Sequence, residues 1–458
     1  AFDANGTLLE ADDGGVYRRT LPRSKQGDWF SIIGNLGVTE IHDIAWDAVS
    51  NVAVSGNQDT GTTYQASTGN TTWISFRTAD GGDILIDDTT SVAASTRYSS
   101  FQFLGNPRRS TWLSNNTLLS DELVSGSGFL GTPLFVTPLA LNTIDRSRIV
   151  SSSREFINES FNRGTNFTPE PLFFGDNVFA NFTANALAYG GRIDGATNAD
   201  LLWAGGVSGA YETIDPEGGA PVPPIPAPNV IVRPNLQAGL LVTNYPGRGG
   251  GFFERQPVDI EIDPANGRIC YVADQFGDIL RTMDFGVTWE DVGVRLGDVG
   301  VLRQLEFVTT ATSRYLLVCA DLGVFFADID SLDVDPTVAR WRELGTNLPN
   351  APVWDIEYDA ADDLVVVGTL GRGAWTFTGI SDKLDAVLPR GVVYVNPNFT
   401  GTQLGTKGAP FRNISTAIDN VFIGGYIILA PGNYNASVLT VSKPVRFSVD
   451  GSGIARIQ

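Results

Sequence analysis

Val258–Gly293 reads VDIEIDPANGRICYVADQFGDILRTMDFGVTWEDVG. Three short strand-like runs, VDIEID, ICYVAD and DILRT, are separated by turns carrying Asp and Gly. Asp284-Phe285-Gly286-Val287-Thr288-Trp289 then leads into a Trp-bearing strand. The unit recurs at a period of about 40 residues, the mark of a radial or stacked array. Four short strands per unit make propeller blades.

Working outward, eight units are expected over residues 1–382. They are Phe2–Leu36, Val38–Arg77, Gly82 to Leu113, Pro133 to Pro171, Asn185 to Asn235, Val258–Gly293, Val301–Asn347 and Val353–Gly379. Seven is the alternative, since a unit split across the termini is counted twice. The fifth unit is interrupted at 221–228 by Pro-Val-Pro-Pro-Ile-Pro-Ala-Pro, which lacks ladder donors and must leave the blade. The eighth shows only VWDIEYD, LVVVGT and GAWTFT. The N-terminal segment is expected to supply its missing partner and so remove both sheet edges. The opening Ala1-Phe2-Asp3-Ala4-Asn5-Gly6 is strand-like rather than a signal peptide, which suggests a processed or partial chain.

Composition agrees with an all-β chain. Of 458 residues 42% are hydrophobic, enough for a large core, and 51 Gly and 24 Pro fall at turn spacing. The formal charge of −20 argues against nucleic-acid binding and anionic membrane surfaces, since phosphates would go unneutralised. No apolar run reaches about 18 residues, so no membrane span is expected. Cys270 and Cys319 sit within apolar runs and read as buried free thiols, with a disulfide as the alternative.

After Asp382 the pattern changes, and residues 383–458 read as a second domain. Val392-Val393-Tyr394-Val395 begins a strand, Pro410–Ile418 is a short helix candidate, and further short strands follow.

Thr282-x-Asp284-x-Gly286-x-Thr288-Trp289 matches the Asp-box of the sialidase-like (BNR) repeat. Its chemistry is local. Asp accepts backbone N–H bonds within the turn, Gly permits positive φ, and Trp packs beneath. The box therefore reads as a structural staple. Asp12–Arg18, Gly56–Thr62, Leu348–Asp355 and Gly368–Trp375 resemble the wider sortilin- and xyloglucanase-like propellers. That resemblance implies a fold over residues 1–380; its members include glycosidases, receptors and assembly factors. Val393–Pro397, Gly408–Ile414, Ala417-Ile418 and Ile428–Tyr434 resemble the opening of a pectin-lyase-like right-handed β-helix. There is room for about two coils, too few for a polysaccharide-cleaving groove. A last coil ending at Gln458 would leave an apolar face and strand edges open, so either the natural protein continues or another subunit docks there, and self-association through this segment is expected.

A glycosidase needs two carboxylates flanking a cleft. Asp59, Asp80, Asp83 and Asp355 are candidates near an axial opening, matched to no catalytic motif. Arg77, Arg303 and Arg372 suffice in number for a carboxylate-binding triad, but no spacing unites them. The one histidine, His42, excludes a multi-His zinc site and reads as a partly buried blade residue. Asp328, Asp330, Asp333 and Asp335 form the densest acidic run, a candidate Ca²⁺ loop without EF-hand glycine or glutamate, or else a solvated loop. Asn5, Asn70, Asn115, Asn158, Asn166, Asn181, Asn398, Asn413 and Asn435 head Asn-x-Ser/Thr triplets, glycan acceptors if the chain is secreted and eukaryotic.

The expected function is that of a non-catalytic propeller, secreted or at the cell surface, which scaffolds a filament or layer or binds glycans. The alternatives are a secreted glycoside hydrolase or polysaccharide lyase, and a receptor- or chaperone-like propeller that binds proteins.

Overall fold

The architecture comes from a computed structural model that describes residues 1–12, 15–34, 37–154, 156–171, 182–208, 230–246, 255–435 and 438–458. The proline run at 221–228 lies outside them. The chain is an all-β propeller. Seven sheets open with the strands Ile41–Asp47, Leu85–Asp87, Leu139–Leu141, Phe182–Ile193, Pro257–Ile262, Leu302–Thr309 and Val353–Asp359. We number the corresponding blades 1 to 7. Each sheet runs antiparallel and outward in chain order; six have four strands and the last has three. Each opening strand packs on that of the next blade, and blade 7 packs on blade 1.

Alternation explains the opening strands. In Val258-Asp259-Ile260-Glu261-Ile262 the isoleucines are buried between blades and the acids alternate with them. The second strands are covered on both faces and become continuously apolar, as in Cys270–Asp274, which is buried at every position. The hydrophobic clusters accordingly sit between neighbouring blades. One joins Tyr271 and Ile279 of blade 5 to Leu316 and Val318 of blade 6. Another joins Val366 of blade 7 to Ile41 and Trp46 of blade 1.

The expected N-terminal contribution to the last blade is corrected. Strands Leu8–Asp12, Gly15–Arg19 and Trp29–Ser31 form their own three-stranded sheet. The ring holds seven blades, the alternative count, because unit one stays outside it. Closure uses side chains in place of a swapped strand. Ile44 N–H donates to Asp355, Trp46 N–H to Glu357 at 3.2 Å, and Trp46 Nε1–H to Asp362 at 2.7 Å. Thr39 O also accepts N–H bonds from Gly371 and Gly373 at 3.1 and 3.2 Å. Blade 2 is longer than expected. Trp112 lies on its third strand, Gly105–Leu113, and Leu118–Leu123 is the fourth.

Beyond blade 7, helix Ile380–Asp385 buries Ile380 and Leu384 in the core shared by blades 6 and 7. Arg390–Val395, Val421–Leu429 and Arg446–Val449 then pair in parallel, as do Gly432–Tyr434 and Ala455–Ile457. This segment packs on blade 6. Val392 and Ile428 cluster with Val338, Val392 N–H donates to Ser331 Oγ at 3.1 Å, and Arg446 pairs with Asp335 at 3.0 Å.

Between blades 3 and 4 lies a buried ionic knot. Glu159 binds Arg148 at 2.8 Å and Arg233 at 2.7 Å, and it accepts the Tyr189 hydroxyl. Removing one partner of such a knot strands charge away from water. Glu159→Ala should therefore destabilise the propeller by about 3–5 kcal/mol. The check is urea unfolding; an unchanged midpoint would show that Arg148 and Arg233 reach solvent instead.

Candidate functional site

A cavity of about 530 Å³ occupies the propeller axis. Its apolar wall includes Leu134, Val136, Leu139 and Leu187. Asp43, Asp83, Asp259, Glu306, Asp355 and Glu357 line it as well, with His42 and Arg303 as the basic side chains.

The acids arrive there by one repeated rule. An Asp or Gln near the start of an opening strand accepts a backbone N–H of the next blade. Asp43 accepts from Ile84, Asp83 from Leu139 at 2.8 Å, and Asp259 from Leu305 at 2.7 Å. Gln304 accepts from Ile356 at 2.8 Å, and Asp355 from Ile44. Among the described residues, five blade junctions are stapled in this way. In blade 3, Pro138 stands at the matching place and has no acceptor to offer. Two residues on, Glu357 accepts Trp46 N–H and Glu306 accepts Tyr358 N–H, a second and partial layer.

Asp355 is buried and the other five lining acids are half-buried, and this partial burial dominates the electrostatics. It raises the Asp259 carboxyl to about 7 and the Glu306 carboxyl to about 8, against the N–H bonds they accept. Asp83, Asp355, Glu261 and Glu357 are raised well above their usual range, first by burial and then by neighbouring carboxylates. Asp43 is raised too, by burial above all, and its neighbour Asp355 is raised by burial and then by the Asp43 charge. Arg303 is occupied. It pairs with Asp321 at 2.9 Å and lies 4.4 Å over the Trp354 ring. His42 Nδ1 bonds Gly81 O at 2.9 Å, and its ring meets Phe135 edge-on at 6.0 Å.

Of the sequence-derived carboxylates, Asp83 and Asp355 do reach the axis. Asp80 instead accepts bonds from Gln58 Nε2 and Asp59 N–H, both at 2.8 Å. The three arginines are not brought together: Arg77 pairs with Asp121, Arg303 with Asp321, and Arg372 lies on the final hairpin turn of blade 7. The acidic run forms the short helix Ile329–Val334. Asp328 caps it by accepting Ser331 N–H at 2.8 Å, Asp333 pairs with Arg281 at 2.6 Å, and Asp335 pairs with Arg446. Burial and the charges of Asp328 and Asp333 raise Asp330 to about 6. Among the described residues, no group of three or more His, Cys, Asp or Glu is arranged to hold a metal ion. Cys270 and Cys319 are buried and unpaired.

The Asp-box closes on itself. Thr282 Oγ1 accepts Gly286 N–H at 2.8 Å, and Asp284 accepts Thr288 N–H at 2.8 Å and the Thr288 hydroxyl at 2.7 Å. Burial opposes the Asp284 charge, but the bonds from Thr288 and Thr282 hold its carboxyl below the usual range. Phe285 and Gly286 take positive φ, 59° and 80°, and Trp289 meets Tyr245 edge-on at 4.9 Å. Blade 3 carries a second box that the motif missed. In Ser160-x-Asn162-x-Gly164-x-Asn166-Phe167, Ser160 Oγ accepts Gly164 N–H at 2.9 Å and Asn162 accepts Asn166 N–H at 2.8 Å. Arg163 and Gly164 repeat the positive φ, 60° and 80°. The signal was the Ser/Thr, Asx, Gly spacing, hidden by Asn for Asp and Phe for Trp.

One glycan reading is corrected. Asn158 is fully buried, and its amide bonds Leu130 N–H and O at 2.9 and 3.1 Å, so no glycan fits there. Asn5, Asn70, Asn115, Asn166, Asn398, Asn413 and Asn435 are exposed. Asn181 lies outside the described residues.

No protein-family model matches the chain, and no curated protein does. Among solved structures it is similar to YCF48 from Cyanidioschyzon merolae, with 11% identity, 75% of this chain and 96% of that one covered, and a TM-score of 0.46.

The two boxes should behave as equivalents. Asn162→Ala and Asp284→Ala are each expected to cost about 1–2 kcal/mol, because each orphans a turn N–H. Urea unfolding checks this; a neutral Asn162→Ala would mean that the blade 3 turn does not need its side chain.

Proposed function

We propose that this chain is a non-catalytic propeller that serves as an assembly module, secreted or at the cell surface. The observation that carries the reading is the use made of the axial carboxylates. Those best placed for chemistry each accept a backbone N–H of the next blade. Asp43 and Asp355 are committed across adjacent junctions, Asp43 accepting Ile84 N–H and Asp355 accepting Ile44 N–H, which leaves neither free to flank a sugar as a glycosidase carboxyl must.

The C-terminal segment supports the assembly part. Residues 383–458 hold seven Lys/Arg against three Asp/Glu, on a chain whose formal charge is −20. Its exposed apolar side chains include Phe447, Ile454 and Ile457. The successive parallel strands are in keeping with the β-helix resemblance and offer a surface where copies could meet. Exposed Asn-x-Ser/Thr sites suit a secreted setting. No helix among the described residues is long and apolar enough to cross a membrane.

Sedimentation velocity over a wide concentration range tests this. We expect association that weakens at about 1 M salt, where the screening length falls to about 3 Å. A chain that stays monomeric throughout, or that hydrolyses a soluble polysaccharide in an Asp355-dependent way, would overturn it in favour of the hydrolase reading.

A further inference from the structure

We propose that the carboxyl groups along the propeller axis form a pH-sensitive clasp, which holds the blades together while protonated and loosens the ring as it ionises. The geometry carries the argument. Five blades send charged or titratable groups to the axis. Blade 1 gives His42 and Asp43, blade 2 Asp83, blade 5 Asp259, blade 6 Arg303 and Glu306, and blade 7 Asp355 and Glu357. Blades 3 and 4 present Leu139, Ala186 and Leu187, which compensate nothing.

Among the described residues around this column, the remaining groups add no free cation. Glu261 follows Asp259 on the same side of its strand and feels Glu306, Asp259 and Asp263. Asp263 is itself paired with Arg314. Asp88 adds charge near Glu357 and Asp47 pairs with Arg97, while the Cys270 and Cys319 thiols face the same acids from behind. Arg303 answers to Asp321, and His42, the other basic side chain of the lining, bonds Gly81 O at 2.9 Å.

The staples tie this charge to cohesion. The carboxyls that repel when ionised are those that hold blade 1 to 2, 5 to 6 and 7 to 1. Ionising them does not remove the acceptors, but it sets like charges against each other at the blade junctions. For carboxyls raised in the folded state, stability is complete below the unfolded value of about 4 and is lost as pH rises through the folded values. Asp259 and Glu306, at about 7 and about 8, place that loss across neutrality.

Thermal unfolding from about pH 5 to about pH 8, in about 1 M salt to screen the surface charge, reads the effect. We expect the midpoint of the full chain to fall by several degrees as pH rises. The double variant Glu261→Gln/Glu306→Gln, which keeps shape and acceptor oxygens, should raise the midpoint at the upper end and flatten the slope. The exposed Glu343→Gln should do neither. The wild type alone provides an independent reading. Unfolding heats near neutral pH, compared between buffers of different ionisation enthalpy, should show release of roughly two or more protons. A flat or rising midpoint, an unchanged slope in the double variant, or proton uptake on unfolding would overturn the clasp.

Discussion

An acidic side chain at the start of one blade accepting a backbone N–H at the start of the next is the bond on which this propeller depends. A blade has no hydrogen-bond ladder to its neighbour, so shape and apolar burial alone would leave the junctions free to slide. The staple fixes register. Asp43 with Ile84, Asp259 with Leu305 and Asp355 with Ile44 repeat one geometry around the axis. Isoleucine and leucine follow the acid because the same residue donates the N–H and fills the space between blades.

The other end of the opening strand has its own device. Asp47, Asp87, Asn142, Asp263, Thr310 and Asp359 each accept an N–H two or three residues ahead, turning the chain outward. Blade 4 ends instead in the tight Asp194-Gly195 hairpin, with both residues at positive φ. Acid staple, apolar strand and Asx turn make one module, repeated with substitutions that keep the acceptor oxygen.

That economy carries a cost and a constraint. Gathering acids around one axial cavity concentrates like charge on partly buried groups, and their proton affinities rise in response. Each staple carboxyl thus commits an acceptor site to cohesion between blades. The positively charged C-terminal segment packs on blade 6 of an otherwise acidic body.

Local chemistry was legible in the sequence. Strand period, Asp-Gly turns and the Thr282–Trp289 box are settled within about ten residues, because their hydrogen bonds close inside one turn or hairpin. The equivalent box at Ser160–Phe167 escaped notice because its acceptors differ in name and agree in geometry. Other features depended on distance along the chain. Unit one resembles a blade in its residues yet forms a sheet of its own, and only ring closure between Asp355 and Ile44, 311 positions apart, fixes the count at seven. Asn158 reads as an acceptor site until its burial beside Leu130 is seen. The gathering of acids at the axis is likewise tertiary, since each is an ordinary strand residue until seven blades turn the same position inward.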